Sequence, residues 1–163
     1  MEPDRGDDRI VTSLIDAAIE FVVVGGTAAV LQGAPIVTED LDILHRRTAE
    51  NVDRLQAWLL AHGAYHRFDL ANRRLPPSRE SLLGDGHVNL MTDLGKLDVL
   101  CTLAPGEGFD EVLDDTIVLP AGVRVLGLAR LIAVKARANR PKDRAVLPVL
   151  VATLDELRRR TPS

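Results

Sequence analysis

The sequence predicts an α+β fold, a small mixed β-sheet flanked by helices, with further helices at the C-terminal end. Three observations predict it. Phe21-Val22-Val23-Val24 is an unbroken apolar run rich in β-branched residues that ends at Gly25-Gly26, as a buried strand does when it breaks into a turn. Asp40-Leu41-Asp42-Ile43-Leu44, His87 to Thr92 and Lys96 to Leu100 alternate polar with apolar, the period of strands with one covered face. Helical spacing of apolar residues recurs before, between and after these segments.

Taken in order, residues 1–9 read as a frayed lead-in. Ile10 to Ile19 places Ile10, Leu14, Ala17 and Ala18 on one side of an amphipathic helix. After the first strand, Thr27 to Leu31 predicts a short helix with Thr27 as its N-cap. Ala49 to Ala61 puts Val52, Leu55, Leu59 and Leu60 on one helical side, and Gly63 just beyond suits a left-handed close. Phe68 to Gly86, with Pro76-Pro77, Gly84, Gly86 and several arginines, predicts a long irregular loop. Asp93-Leu94-Gly95 between two alternating strands predicts a hairpin. Phe109 to Leu113 reads as a helical turn, and Pro120-Ala121-Gly122 as the connection between strands at 116–119 and 123–126. Leu128 to Ala138 is a helix, and Pro141 opens a last one running to about Arg160.

At 163 residues and 17.8 kDa, the chain is predicted to form one domain over 1–163. With 46% apolar and 27% charged residues it can bury a core and is not generally disordered. Aromatics at 3% argue against an aromatic base-stacking platform, and a single cysteine, Cys101, excludes a disulfide framework or a cysteine-rich zinc site. No apolar run approaches the roughly 20 residues of a membrane span. The acidic, polar start is the opposite of a signal peptide, so a cytoplasmic protein without membrane contact is expected. The net charge of −4 is unevenly distributed: residues 124–163 carry ten Lys/Arg against three Asp/Glu, and residues 1–123 ten against twenty-one. A basic C-terminal quarter suits an anionic partner, although a solvated helix end such as Arg158-Arg159-Arg160 accounts for part of it.

Chemistry concentrates in three places. Asp40 and Asp42, two apart on a strand, point to the same face, where their mutual repulsion costs stability unless a cation lies between them. Oxygen ligands of this kind suit Mg²⁺ or Mn²⁺. Asp98, in Leu97-Asp98-Val99, adds a third carboxylate if its strand lies alongside, the donor set of a two-metal phosphoryl-transfer site. Gly25-Gly26 at a strand end brings backbone N–H groups close to an anion. Alone, the glycines read as an ordinary turn and Asp-Leu-Asp as a solvated edge strand; their conjunction points to function. Lys135, set among apolar helix residues, either snorkels to solvent or reaches phosphates, with Arg140, Lys142 and Asp143 clustered at the helix junction.

With Val24-Gly25-Gly26-Thr27-Ala28, Thr38-Glu39-Asp40-Leu41-Asp42-Ile43 and Leu97-Asp98-Val99 in this order, residues 20–150 resemble the polymerase-β-type nucleotidyltransferase superfamily. Within it they look like small bacterial nucleotidyltransferase-like proteins and the type IV abortive-infection toxins of toxin–antitoxin systems. The resemblance implies a nucleotidyltransferase-like fold and metal-dependent transfer of a nucleotide from an NTP to a hydroxyl acceptor, a tRNA end in some relatives or a protein. It implies that Gly25, Gly26 and Thr27 hold the triphosphate, that Asp40, Asp42 and Asp98 hold Mg²⁺ or Mn²⁺, and that Lys135 and Asp143 match a late lysine and aspartate. A cognate antitoxin or toxin is the implied partner. The chain departs from the larger toxins in lacking an extensive C-terminal helical domain.

Other candidates carry less. His45, His62, His66 and His87 show no metal-ligand spacing, Cys101 reads as a buried small hydrophobe, and Asp110-Glu111-Asp114-Asp115 as a solvated helix face. The arginines of 67–79 either guide an acceptor strand or are solvated charge. Two alternatives to catalysis remain at this level: a partner-binding subunit of a toxin–antitoxin pair, and a passive NTP or metal binder.

Overall fold

The computed structural model describes residues 6–161. Its centre is a seven-stranded mixed sheet in the order β3-β4-β5-β2-β1-β7-β6. The strands are β1 (Phe21–Val24), β2 (Leu41–His45), β3 (Tyr65–His66), β4 (His87–Thr92), β5 (Gly95–Leu100), β6 (Thr116–Val118) and β7 (Arg124–Leu126). All four residues of β1 are buried, as expected for a central strand between β2 and β7. β2 runs antiparallel to β1 and parallel to β5, and β4–β5 is the expected hairpin, turning through Asp93-Leu94.

Alternation decides which face is core. Leu41, Ile43, Leu97, Val99, Val88 and Leu90 are buried on one side of β2, β5 and β4, leaving Asp42, Asp98 and Asn89 on the other, more open side. On the buried side α1 (Gly6–Asp16) packs on β5, and α3 (Ala49–Ala61) packs on α4 (Arg79–Leu83). There the Trp58 indole donates to Ser13 Oγ at 2.8 Å, and His45 Nε2 lies 2.7 Å from the Leu82 carbonyl. α2 (Gly25–Leu31) packs on β1 and β2, α6 (Leu128–Ala138) on α2, and α7 (Pro141–Arg160) on α6. A one-turn helix, α5 (Phe109–Val112), precedes β6. Among the described residues, no helix is long and apolar enough to cross a membrane.

Several boundaries differ from the sequence reading. Residues 6–9, expected as lead-in, already belong to α1, while residues 1–5 lie outside the described residues. α1 stops at Asp16 because Ala18 turns left-handed (φ 59°) and Ile19 N–H reaches back to the Leu14 carbonyl, closing the helix before Ile19. α2 begins at Gly25, so Thr27 lies inside the helix and is not its cap. The expected loop over 68–86 contains α4, whose Ser78 hydroxyl caps Ser81 N–H at 3.1 Å and which buries Leu82. The two-residue β3 was not foreseen, being too short to show a period.

Candidate active site

The sheet register assembles the centre of the site. Val24 on β1 lies opposite Asp42 on β2, Asp42 opposite Asp98 on β5, and Asp98 opposite Asn89 on β4. Directly paired residues share a face, so one row across four strands carries two adjacent carboxylates. The row continues past β3, where Arg67 N–H donates to the Asn89 carbonyl at 3.1 Å. Asp40, the residue just before β2, stands beside this row rather than in it.

Gly25 follows Val24 and therefore meets Asp42. Its φ is +67°, and a Cβ there would lie 2.4 Å from Asp42 Oδ2. A side chain at Gly26 would lie 2.9 Å from Thr38 Oγ1. The diglycine thus lets backbone approach the carboxylates, and both glycines line the cleft.

Asp42 is pushed up to about 7, first by burial, then by the charge and hydrogen bond of Asp98 and the charge of Asp40, against a smaller opposing pull from Lys135. Asp40 Oδ1 is buried without a hydrogen-bond partner, and Lys96 Nζ stands 4.0 Å from it. Asp98 Oδ1 accepts from Arg67 Nη1 at 2.5 Å, while Arg67 Nη2 reaches Asp40 Oδ2 at 3.4 Å. Among the described residues, no three His, Cys, Asp or Glu side chains already stand in metal-holding geometry. Asp40, Asp42 and Asp98 line one cleft, with Asp42 and Asp98 adjacent across the sheet and the Arg67 guanidinium standing between Asp98 and Asp40. The donor chemistry fits a divalent cation, because an orphaned carboxylate oxygen and a carboxyl raised by burial and by neighbouring carboxylates are what a hard cation relieves.

These residues lie in a cleft of about 750 Å³ that is also lined by Thr38, Glu39, Phe68, Asn89, Lys135, Arg140 and Lys142. Lys135 comes from α6, and its Nζ lies 3.5 Å from Asp143 Oδ1. Asp143 is fully buried at the start of α7. It accepts from Arg140 Nε at 2.6 Å and Arg140 N–H at 3.1 Å, and this arginine, more than Lys135, holds its carboxyl below the usual range. Asp143 does not line the cleft: its place is behind Lys135, which differs from the ligand contact implied by the resemblance. Thr27 departs in the same way, since it is buried and its hydroxyl donates to Asp7 Oδ2 at 3.2 Å, toward α1. Sequence reasoning missed Asn89, and it weighed Arg67 only as an acceptor guide or solvated charge, not as the partner of Asp98 and Asp40. Asn89 had a signal in the alternation of β4, but Arg67 had none beyond its charge.

No family model matches the chain, and no curated protein matches it. Among solved structures, a Thermotoga maritima protein described provisionally as a nucleotidyltransferase shares 16% identity over 88% of this chain and 89% of its own, with a TM-score of 0.53. Two Helicobacter pylori proteins, JHP933 and one provisionally described as a nucleotidyltransferase, share 22% and 21% identity over 77% of this chain, with TM-scores of 0.40 and 0.42. The chain spans 51% and 52% of their lengths. The Thermotoga likeness identifies the architecture: the chain has a nucleotidyltransferase-like fold.

Proposed function

We propose that this chain transfers a nucleotide from an NTP to a hydroxyl acceptor, with Mg²⁺ or Mn²⁺ held by Asp42 and Asp98 and completed by Asp40. The observation that carries this reading is the Asp42–Asp98 rung set against Gly25, in a cleft whose other lining includes Lys135, Arg140 and Lys142. When bound, a divalent cation polarises phosphate oxygens and neutralises the triphosphate. The chain's own residues do the rest. Lys135, fixed from behind by Asp143, and Arg140 offer positive charge to the phosphates. Without side chains, Gly25 and Gly26 let Asp42 and Thr38 pack directly against the backbone that lines the cleft. The acceptor oxygen bonds to the α-phosphorus as the bond to pyrophosphate breaks, and the hydroxyl proton passes to a carboxylate of the Asp42–Asp98 pair. The cleft volume lies within the range usual for small-ligand sites. The resemblance extends this proposal to an RNA or protein acceptor, and to a cognate toxin or antitoxin as partner.

The test is incubation with each labelled NTP, Mg²⁺ and total cellular RNA or protein. Labelled acceptor and released pyrophosphate are expected, with Asp42→Asn and Asp98→Asn each lowering the rate roughly 1,000-fold, the scale of losing several kcal/mol of charge stabilisation. Equal signals from wild type and both variants over all acceptors would overturn the reading.

A further inference from the structure

Arg67 is the most tightly engaged cation of the site, and the proposed chemistry has no use for it where it stands. Its Nη1 donates to Asp98 Oδ1 at 2.5 Å and to the Leu90 carbonyl at 3.1 Å, and its Nη2 to Asp40 Oδ2 at 3.4 Å. Its guanidinium carbon lies 4.8 Å from the centre of the Phe68 ring, and only 11% of the side chain is exposed. A planar guanidinium spanning two carboxylates satisfies them as a cation does, but with donors in a fixed fork. A small divalent ion needs oxygens of the same carboxylates at about 2.1 Å, in near-octahedral order. Arg67 leaves Asp40 Oδ1 without a hydrogen bond, but its guanidinium charge lies within a few ångströms of any ion held there and repels it, so the two cations compete.

We propose that Arg67 is a tethered counter-cation of the Asp40–Asp98 pair, and that a divalent cation occupies the site only by displacing it. This rests on the transferase reading for the identity of the ligands. The placement makes displacement feasible. The Arg67 backbone is fixed to β4 through Asn89, while the following residues leave the sheet for solvent: Phe68 is 75% exposed and Leu70 fully so. The side chain itself lines the cleft, so it can turn into open volume without unfolding β3. Metal-free protein then keeps its carboxylates neutralised, and the cation affinity observed is the intrinsic affinity lowered by the competition.

The experiment is a calorimetric titration of wild type, Arg67→Met and Arg67→Lys with Mn²⁺ and with Mg²⁺, without nucleotide. Arg67→Met keeps the apolar stem and removes the charge, so about tenfold or greater tightening is expected, with Arg67→Lys between it and wild type. In parallel, wild-type guanidinium resonances are followed by NMR as Mg²⁺ is added, which does not depend on a variant folding. The Arg67 signal is expected to lose its protection from solvent exchange as the site fills. Equal or weaker binding by Arg67→Met, or an Arg67 resonance unchanged at saturating Mg²⁺, would overturn the inference while leaving the transferase reading intact. Absence of binding to wild type and Arg67→Met alike would overturn both.

Discussion

At Gly25, two independent constraints act on one residue: a left-handed backbone and a Cβ position 2.4 Å from a carboxylate oxygen. Either alone is strained for an L-residue, and a side chain here would force the Asp42 carboxylate to turn away from Gly25. Gly25→Ala is therefore expected to lower stability by about 2–4 kcal/mol and to abolish nucleotide transfer. Gly33 is the control. It too has positive φ, but nothing lies within 4 Å of where its Cβ would stand, so Gly33→Ala is expected to cost only about 1 kcal/mol and to leave transfer intact. Thermal melts and a pyrophosphate assay on both variants check the contrast. At this scale the sequence shows Asp42 and Asp98 plainly, because alternation along each strand fixes the face a residue takes. It conceals Arg67, whose place depends on a two-residue strand and on pairing with β4, and it misdirects on Thr27 and Asp143, where residue type suits a ligand but the side chain points into the protein.

The junction of α6 and α7 shows how elements, rather than single residues, set the basic side of the cleft. Asn139 turns left-handed (φ 51°) to end α6, Pro141 starts α7, and Asp143 reaches back to the Arg140 N–H. The same carboxylate lies 3.5 Å from Lys135 on the preceding helix, so the cap that starts α7 also positions the lysine. Asp143→Asn preserves a hydrogen-bond acceptor and removes the charge. It is expected to destabilise by about 3 kcal/mol, as breaking a buried pair does, and to weaken NTP binding about tenfold. Because the effect on binding runs through Lys135 and Arg140, adding Asp143→Asn to the Lys135→Met, Arg140→Met variant should bind NTP no worse than that variant alone. Additive losses would instead assign Asp143 its own contact with nucleotide. Elements of this length are legible from sequence: α3, α6 and α7 carry enough turns to display a period and end at recognisable signals, Gly63 and Pro141 among them. α4 and β3 are not, since five residues and two define no period, and tertiary contacts such as His45 to Leu82 hold α4 in place.

Over the whole molecule, the charge asymmetry of the sequence becomes a division within the cleft. Residues 1–123 supply its carboxylates, while the net-positive residues 124–163 supply Lys135, Arg140 and Lys142. A cation bound to a polyanion matches such a surface better than either ion alone, and the division makes stability depend on pH. Asp42 is raised from 3.8 to about 7 in the folded protein, by burial before all else. A raised carboxyl binds its proton more tightly when folded, so its stabilising contribution is complete below about pH 4 and is lost as pH rises toward and through 7. Metal-free protein should accordingly show this part of its stability declining between pH 4 and 7, and Asp42→Asn should flatten that decline. Mg²⁺ acts in the opposite sense, because it binds the ionised carboxyl and must displace the proton below pH 7. The rise in Tm on adding a fixed Mg²⁺ concentration is thus expected to be larger at pH 8 than at pH 6, by the mass-action stabilisation of a tighter site, and to vanish in Asp42→Asn. Scanning melts over pH 4–8 with and without Mg²⁺ decides it: a Mg²⁺ effect independent of pH, or one retained in Asp42→Asn, would place the cation away from this carboxylate pair.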